Sequence, residues 1–321
     1  LIKPLIDWFL KNKRELPFRN SDDPYRILVS EIMAQQTRME ALIPYYERFI
    51  ARFPTVEALA EADEADVLTV WAGLGYYSRA RSLHKAARTC NGKIPETYEA
   101  IRALPGVGDY TAGAVASIAF GLPYPAVDGN VRRVYARLFA SDSGDVAAWV
   151  RQLMDGSPPR LVTESLMELG ALICIPSSPK CGQCPIQGGC RAFADGCVSE
   201  FPAKKEKSQK REEHRTVCIV RDDRGNILLR RRTERLLHKL WEFPAEERLI
   251  ADGFTVDRSP IPLGTAKHVF THIIWHMAAY AAVVSDRELP ENYQWVRDLR
   301  AVALPSAMKS WIDLITKEQL G

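Results

Sequence analysis

A chain of 321 residues, 46% hydrophobic and 26% charged, has an ordinary globular composition and is long enough for two domains. No run of eighteen apolar residues occurs, which excludes a helical membrane span, and the opening LIKPLIDWFLKNKRELPF is too short and too broken by Asp7 for a secretory signal. Net charge is only +3, with 22 Lys and Arg against 23 Asp and Glu in residues 1–200, so any contact with nucleic acid must be local rather than a global field.

The chain divides into a helical region over 1–200, a linker over 201–216 and an α+β domain over 217–321. An amphipathic helix opens it. EIMAQQTRMEALIPYYERFIARF and TVEALAEADEADVLTVWAGL carry apolar residues at three- and four-residue spacing, the helical period. YEAIRAL and YTAGAVASIAF form a helix pair joined by PGVGD, and WVRQLMD and TESLMELGALIC continue the pattern. FPAKKEKSQKREEHRT then holds six Lys or Arg, three Glu and almost nothing apolar after Phe201, as a solvated linker does. Beyond it, VCIV and ILLRRR predict a hairpin turning at Asp223 to Asn226, IIWHMAAYAAVV and YQWV predict strands, and KSWIDLITKEQ predicts a closing helix.

Four segments carry chemistry. In PGVGD, Gly106, Val107 and Gly108 make a turn whose bare backbone lets N–H groups approach a phosphate beside the positive end of the next helix. Asp109 there is expected to cap that helix. Arg79, Arg81, His84, Lys85 and Arg88, and then Arg132, Arg133 and Arg137, are candidate phosphate contacts, since phosphates give affinity without sequence information. In PAVDGNVRRV, Asp128 reads on its own as a turn or helix-cap residue. Glu31 lies among Ile27, Leu28, Val29, Ile32 and Met33; burial there would raise its carboxyl toward the range a general acid needs. Finally, CIPSSPKCGQCPIQGGC sets Cys174, Cys181, Cys184 and Cys190 at spacings of six, two and five. Four thiolates suit zinc or an iron–sulfur cluster, and with only one C-x-x-C pair the loop suits a cubane better than one ion. His268, His272 and His276 are four apart, but their β-branched and aromatic neighbours argue against a helical metal site.

The cysteine pattern after LMELGALIC, with LPGVGDYTAGAVASIAFG, resembles the endonuclease III superfamily of helix–hairpin–helix DNA glycosylases. Glu31 followed by Gln35–Thr37, and AGLGYYSRARSLHKAA, resemble its MutY-type adenine glycosylase branch. The resemblance covers nearly the whole chain. It implies a structural [4Fe–4S] cluster on the four cysteines and a second domain with a Nudix-like fold, LWEFP being the clearest shared segment. That domain lacks a carboxylate array for magnesium, offering only Glu246 and Glu247 together, so it should bind and not hydrolyse.

The implied reaction is base excision repair, in which adenine opposite 8-oxoguanine or guanine in duplex DNA is flipped out and cut from its sugar. By position, Glu31 would protonate the base, Asp128 would steady the cationic sugar with Asn130 bonded to it, and Tyr110 stands where the lyase branch has its lysine. Arg14 and Glu168 would read adenine. Gln36, Thr37, Leu74 and Tyr76 would lie at the opposite base, and Phe270, Thr271 and His272 would read the oxidised guanine. A monomer in a bacterial-type cytoplasm, acting on nucleoid DNA without a membrane, is the implied setting. Phe18 in place of Trp, Ala34 in place of Leu, Asp109 and a short 141–159 segment depart from the branch. A lyase, a mispair binder without turnover and a nucleotide pyrophosphatase remain alternatives.

Overall fold

A computed structural model describes residues 1–203, 209–284 and 288–319. They fall into two units: residues 1–62 with 81–203, and residues 63–80 with 209–319.

The first unit is helical. Helices α1 (Ile2–Asn12), α2 (Pro24–Ala34), α3 (Met39–Arg52) and α4 (Val56–Glu61) open it. Asp23 caps α2 by accepting from Tyr25 N at 2.9 Å, with Pro24 preset in the first turn. The expected long helix through QQTR is broken: Gln36 takes φ 57°, a conformation no helix continues through. After α5 (Glu64–Trp71), whose residues belong to the second unit, the boundary at Ala80 falls inside α6 (Tyr77–Thr89). The hairpin of α7 (Tyr98–Arg102) and α8 (Asp109–Phe120) follows, then α9 (Gly129–Phe139), α10 (Val146–Met154), α11 (Pro159–Leu172) and the short α12 (Arg191–Ala194). Leu5 of α1, Val131, Val134 and Leu138 of α9, Val150 of α10, and Val162, Leu166 and Leu169 of α11 bury one shared core. Each apolar stripe recurs at helical spacing, so one face of each helix supplies the burial that holds it. Two glycines set the approach distances. A Cβ on Gly113 would lie 2.1 Å from the Pro125 carbonyl oxygen, and one on Gly170 would lie 2.5 Å from Asn130 Cβ.

The second unit holds β1 (Arg211–Val220), β2 (Ile227–Arg231), β3 (Trp241–Glu242), α13 (Glu246–Ala251), β4 (Val256–Val269), β5 (Ile273–Val284), β6 (Tyr293–Val296) and α14 (Lys309–Gln319). One sheet runs β1-β5-β4, with β1 parallel and β4 antiparallel to β5; the other runs β3-β2-β6. Along β1, Val217 and Ile219 face a core with Trp275, Met277 and Trp311, while Cys218 and Val220 face a second core with Leu249 and Phe254. A strand covered on both faces reads as the continuous apolar run VCIV.

Three expectations need correction, and one strand was not anticipated. The linker does not reach Thr216, because Arg211 to Thr216 pair with Ile273 to Ala278; the pairing satisfies their backbone, and that strand holds despite its charged side chains. Residues 63–80, assigned above to the helical region, pack with the second unit. The turn after β1 forms, with Gly225 N donating to Asp222 O, but the strands diverge into different sheets beyond the single Arg221–Ile227 bridge. The β4 strand was hidden by Pro260, Pro262 and Gly264; they sit on an edge strand with register shifts, where proline costs no ladder bond.

Candidate active site

A cleft of about 900 Å³ in the helical unit is lined by Glu31, Tyr110, Asp128 and Asn130, and by Arg14, Phe18, Arg19, Gln36, Thr37, Glu164 and Glu168. The catalytic candidates come from three helix starts or ends that the core fixes in place. Glu31 lies on the third turn of α2. Tyr110 lies in the first turn of α8, and its hydroxyl donates to Glu31 Oε2 at 2.5 Å. Burial pushes the Glu31 carboxyl up to about 7; the Tyr110 hydrogen bond works against this and the nearby Asp128 charge adds to it. Burial, followed by the Glu31 and Asp128 charges, raises the Tyr110 hydroxyl well above its ordinary range.

Asp128 is the N-cap of α9. Oδ1 accepts from Val131 N at 2.7 Å, and Oδ2 accepts from Asn130 Nδ2 at 2.7 Å. Asn130 is held in turn by Arg133, whose Nη2 donates to Asn130 Oδ1 at 2.7 Å and to Gly170 O at 2.8 Å. The missing side chain of Gly170 lets α11 come this close. The cap reading and the acid reading of Asp128 are therefore compatible, since capping fixes the carboxylate at the cleft wall.

At the other end of the cleft, Glu168 is 1% exposed and takes five bonds. Arg14 donates to it from its backbone N (2.8 Å), Nε (3.0 Å) and Nη2 (2.8 Å). Arg19 donates from Nη1 (3.0 Å) and Nη2 (2.9 Å). Burial works to raise this carboxyl, but the hydrogen bonds from Arg14 and Arg19 win and hold it at about 2. Glu168 thus orients two guanidinium groups beside the cleft, a role that chain separations of 149 and 154 residues concealed. Arg19 and the cleft carboxyl Glu164 were not singled out from sequence; neither carries a spacing signal. Phe18, the departure from Trp, lines the cleft and sets its ring edge-on to Tyr46 at 5.2 Å. Ala34 also lines it.

The hairpin keeps its turn. Gly106 has φ 77°, and a Cβ there would sit 2.4 Å from Ser82 Cβ, so both conformation and space demand glycine. Gly108 opens α8, and a Cβ on it would meet nothing within 4 Å, which leaves its backbone approachable. Val107 is buried, and its carbonyl accepts from Arg102 Nη1. Asp109 is not the cap. It is the first helical residue, and its carboxylate accepts from Arg102 Nε at 2.5 Å, across the turn. Arg133 and Arg137 are not phosphate contacts. They are buried, and Arg137 donates to the carbonyls of Ile175, Pro176 and Phe201, binding the cysteine loop to α9. Arg79 is buried, with its guanidinium over the Trp71 and Tyr76 rings.

Cys174, Cys181, Cys184 and Cys190 surround a small cavity with Arg137, Ile173 and Phe193. Among the described residues no three His, Cys, Asp or Glu side chains are arranged for a single metal ion. Four sulfurs around a shared space, with Arg137 Nη1 donating to Cys174 Sγ at 3.4 Å, fit a larger centre whose sulfurs are hydrogen-bonded. The four cysteines are the residues that would hold a [4Fe–4S] cluster.

Of the expected lesion-side residues, Gln36 and Thr37 line the cleft of the helical unit, while Leu74, Tyr76, Phe270, Thr271 and His272 lie in the second unit, where residues distant in sequence come together. The 73–76 turn uses positive φ at Gly73, Gly75 and Tyr76. Leu74 is buried and Tyr76 is 46% exposed, with its hydroxyl 3.4 Å from Thr271 Oγ1. Phe270, Thr271 and His272 form the β4–β5 turn. Lys210 Nζ donates to Phe270 O at 2.8 Å, and Arg211 N donates to His272 O at 3.0 Å. The Phe270 ring is not a free wedge: it packs on Trp275 at 4.8 Å, while Thr271 and His272 are exposed.

Comparison with known proteins agrees with this architecture. The family described as HhH-GPD superfamily base excision DNA repair protein matches residues 29–159, a NUDIX domain matches 216–314, and the iron–sulfur binding domain of endonuclease III matches 174–190. Adenine DNA glycosylase from Rattus norvegicus is 32% identical over 99% of this chain and 78% of its own length. The Homo sapiens protein of that name is 30% identical over 99% and 74%, and the one from Buchnera aphidicola subsp. Baizongia pistaciae is 30% identical over 86% and 83%. Among solved structures, a thermostable thymine-DNA glycosylase is 28% identical with a TM-score of 0.57, covering 60% of this chain and 95% of its own. A non-covalent endonuclease III–DNA complex, 24% identical with a TM-score of 0.52 over 61% and 94%, shares the fold.

Proposed function

The chain belongs to the adenine DNA glycosylase family, a group of base excision repair enzymes that hydrolyse N-glycosyl bonds, and from that premise we propose that it removes adenine opposite 8-oxoguanine or guanine without a lyase step. One observation carries the chemistry. Glu31 and Asp128, from separate helices, line the same cleft, one carboxyl raised toward neutrality and the other held as a cap.

Base–sugar cleavage needs a proton on the leaving base and a negative charge near the developing oxocarbenium ion. Glu31 suits the first task. Its Oε2 is occupied by the Tyr110 hydroxyl, which leaves Oε1 to carry the proton to N7 of an extruded adenine. Asp128, braced by Val131 N and Asn130, suits the second while water adds to the sugar. Arg14 and Arg19, aligned on Glu168, present donors to the base. Tyr110 offers no amine, which supports a hydrolytic route over Schiff-base chemistry. The [4Fe–4S] cluster supplies structure to the Cys174–Cys190 loop and takes no part in the hydrolysis. In the second unit, Tyr76, Thr271 and His272 form the surface we assign to the opposite base; a mispair lowers the cost of flipping, so reading and extrusion act together.

The test is base release. Purified protein should free adenine from an adenine–8-oxoguanine duplex and not from an adenine–thymine one, and borohydride should trap no covalent DNA adduct. Release without preference for the lesion, or a trapped adduct, would overturn the specificity or the hydrolytic route respectively.

A further inference from the structure

The arm between α1 and α2 carries Arg14, Phe18 and Arg19 to the cleft, yet residues 15–23 form no regular element long enough to hold themselves there. A side chain from another element holds them. Arg160 lies in the first turn of α11, immediately after Pro158 and Pro159. Its Nη2 donates to the Arg19 carbonyl at 2.7 Å and to the Ser21 carbonyl at 3.2 Å. Nη1 pairs with the Asp22 carboxylate, and Nε lies 3.5 Å from Glu164, one turn along α11. The Arg19 backbone is thus tied to the start of α11, while the Arg19 side chain is tied to Glu168 two turns further on.

We propose that Arg160 is a positioning residue for base recognition: it clamps the arm so that the Arg19 and Arg14 guanidinium groups meet the base in fixed register. This rests on the reading of the cleft as the adenine site. The guanidinium holds these acceptors on two separate nitrogens in a fixed plane, a geometry that the single nitrogen of a lysine does not reproduce, so Arg160→Lys should fail to restore what Arg160→Ala removes. The apolar cluster shared by α1, α9, α10 and α11 is built from other side chains, and both variants should fold. Misplacing the donors slows the bound reaction rather than the encounter with DNA.

Single-turnover release should be measured at saturating enzyme with duplexes carrying adenine, or 1-deazaadenine lacking the N1 acceptor that a guanidinium donor would read, opposite 8-oxoguanine. Both variants should be slowed on adenine by about tenfold. Their preference for adenine over 1-deazaadenine should shrink, with duplex affinity unchanged and a cooperative melting transition retained. Wild-type rate and preference in both variants would overturn the clamp while leaving the cleft reading intact. Loss of duplex affinity in step with rate would overturn it too, assigning Arg160 to the DNA backbone. A wild-type protein that releases no adenine would remove the reading beneath it.

Discussion

Glu31 and Glu168 line one cleft and are driven in opposite directions. Glu31 is raised by burial, so the folded protein keeps its proton up to about pH 7 while the unfolded chain loses it near the ordinary carboxyl value. The stability contribution of that proton is full below the unfolded value and fades as pH rises toward 7. The same proton is the one the leaving base requires. The single-turnover rate should fall tenfold per pH unit above about pH 7. Because the Tyr110 bond holds Glu31 down, Tyr110→Phe should move that falling limb to higher pH; a limb that stays put would mean another group sets it. Glu168 is the reverse case, held at about 2 by two arginines. Its contribution is present above the unfolded carboxyl value and is lost as pH falls toward 2.

At the scale of elements, the site depends on how three helix termini are pinned. Asp128 caps α9, Gly170 admits α11 against Asn130, and Arg137 laces the cysteine loop to α9. Arg137→Ala would remove the donor to three part-buried carbonyls, at about 0.5–1.5 kcal/mol for each hydrogen bond lost. We expect purified Arg137→Ala protein to show reduced iron content and visible absorption; a full complement of cluster would mean the loop holds it unaided. These arginines show where sequence reading reached its limit. Arg133 and Arg137 sit in a charged stretch and were expected at phosphates, because all but one of their backbone carbonyl acceptors lie 37 to 64 residues away. Helix period, the Gly106 turn and the cysteine spacing are local properties and were legible. The Arg14–Glu168–Arg19 knot and β4, with its edge prolines, are products of tertiary contact and were not.

Over the whole molecule, the proposed function sets bond cleavage in the first unit and reading of the opposite base in the second. Residues 63–80 belong with the second unit although they precede most of the first in sequence, and this brings Tyr76 within reach of Thr271. Spacing and periodicity alone do not bring the AGLGYY and FTH segments together; only the family resemblance set both at the base opposite adenine. Among the described residues, no helix is long and apolar enough to cross a membrane. His272→Ala should narrow the rate difference between adenine opposite 8-oxoguanine and adenine opposite guanine, while leaving the bond-breaking residues untouched. Unchanged discrimination would place lesion reading elsewhere.

The central claim is that Glu31 and Asp128 act on one extruded nucleoside. It is tested most directly by single-turnover adenine release from an adenine–8-oxoguanine duplex, with binding to the same duplex measured in parallel, for wild type, Glu31→Gln and Asp128→Asn. Each substitution should slow release by at least about 100-fold, the scale of one general acid or one charge stabiliser, with duplex affinity retained. Release at the wild-type rate from either variant, or affinity lost in proportion to rate, would contradict it.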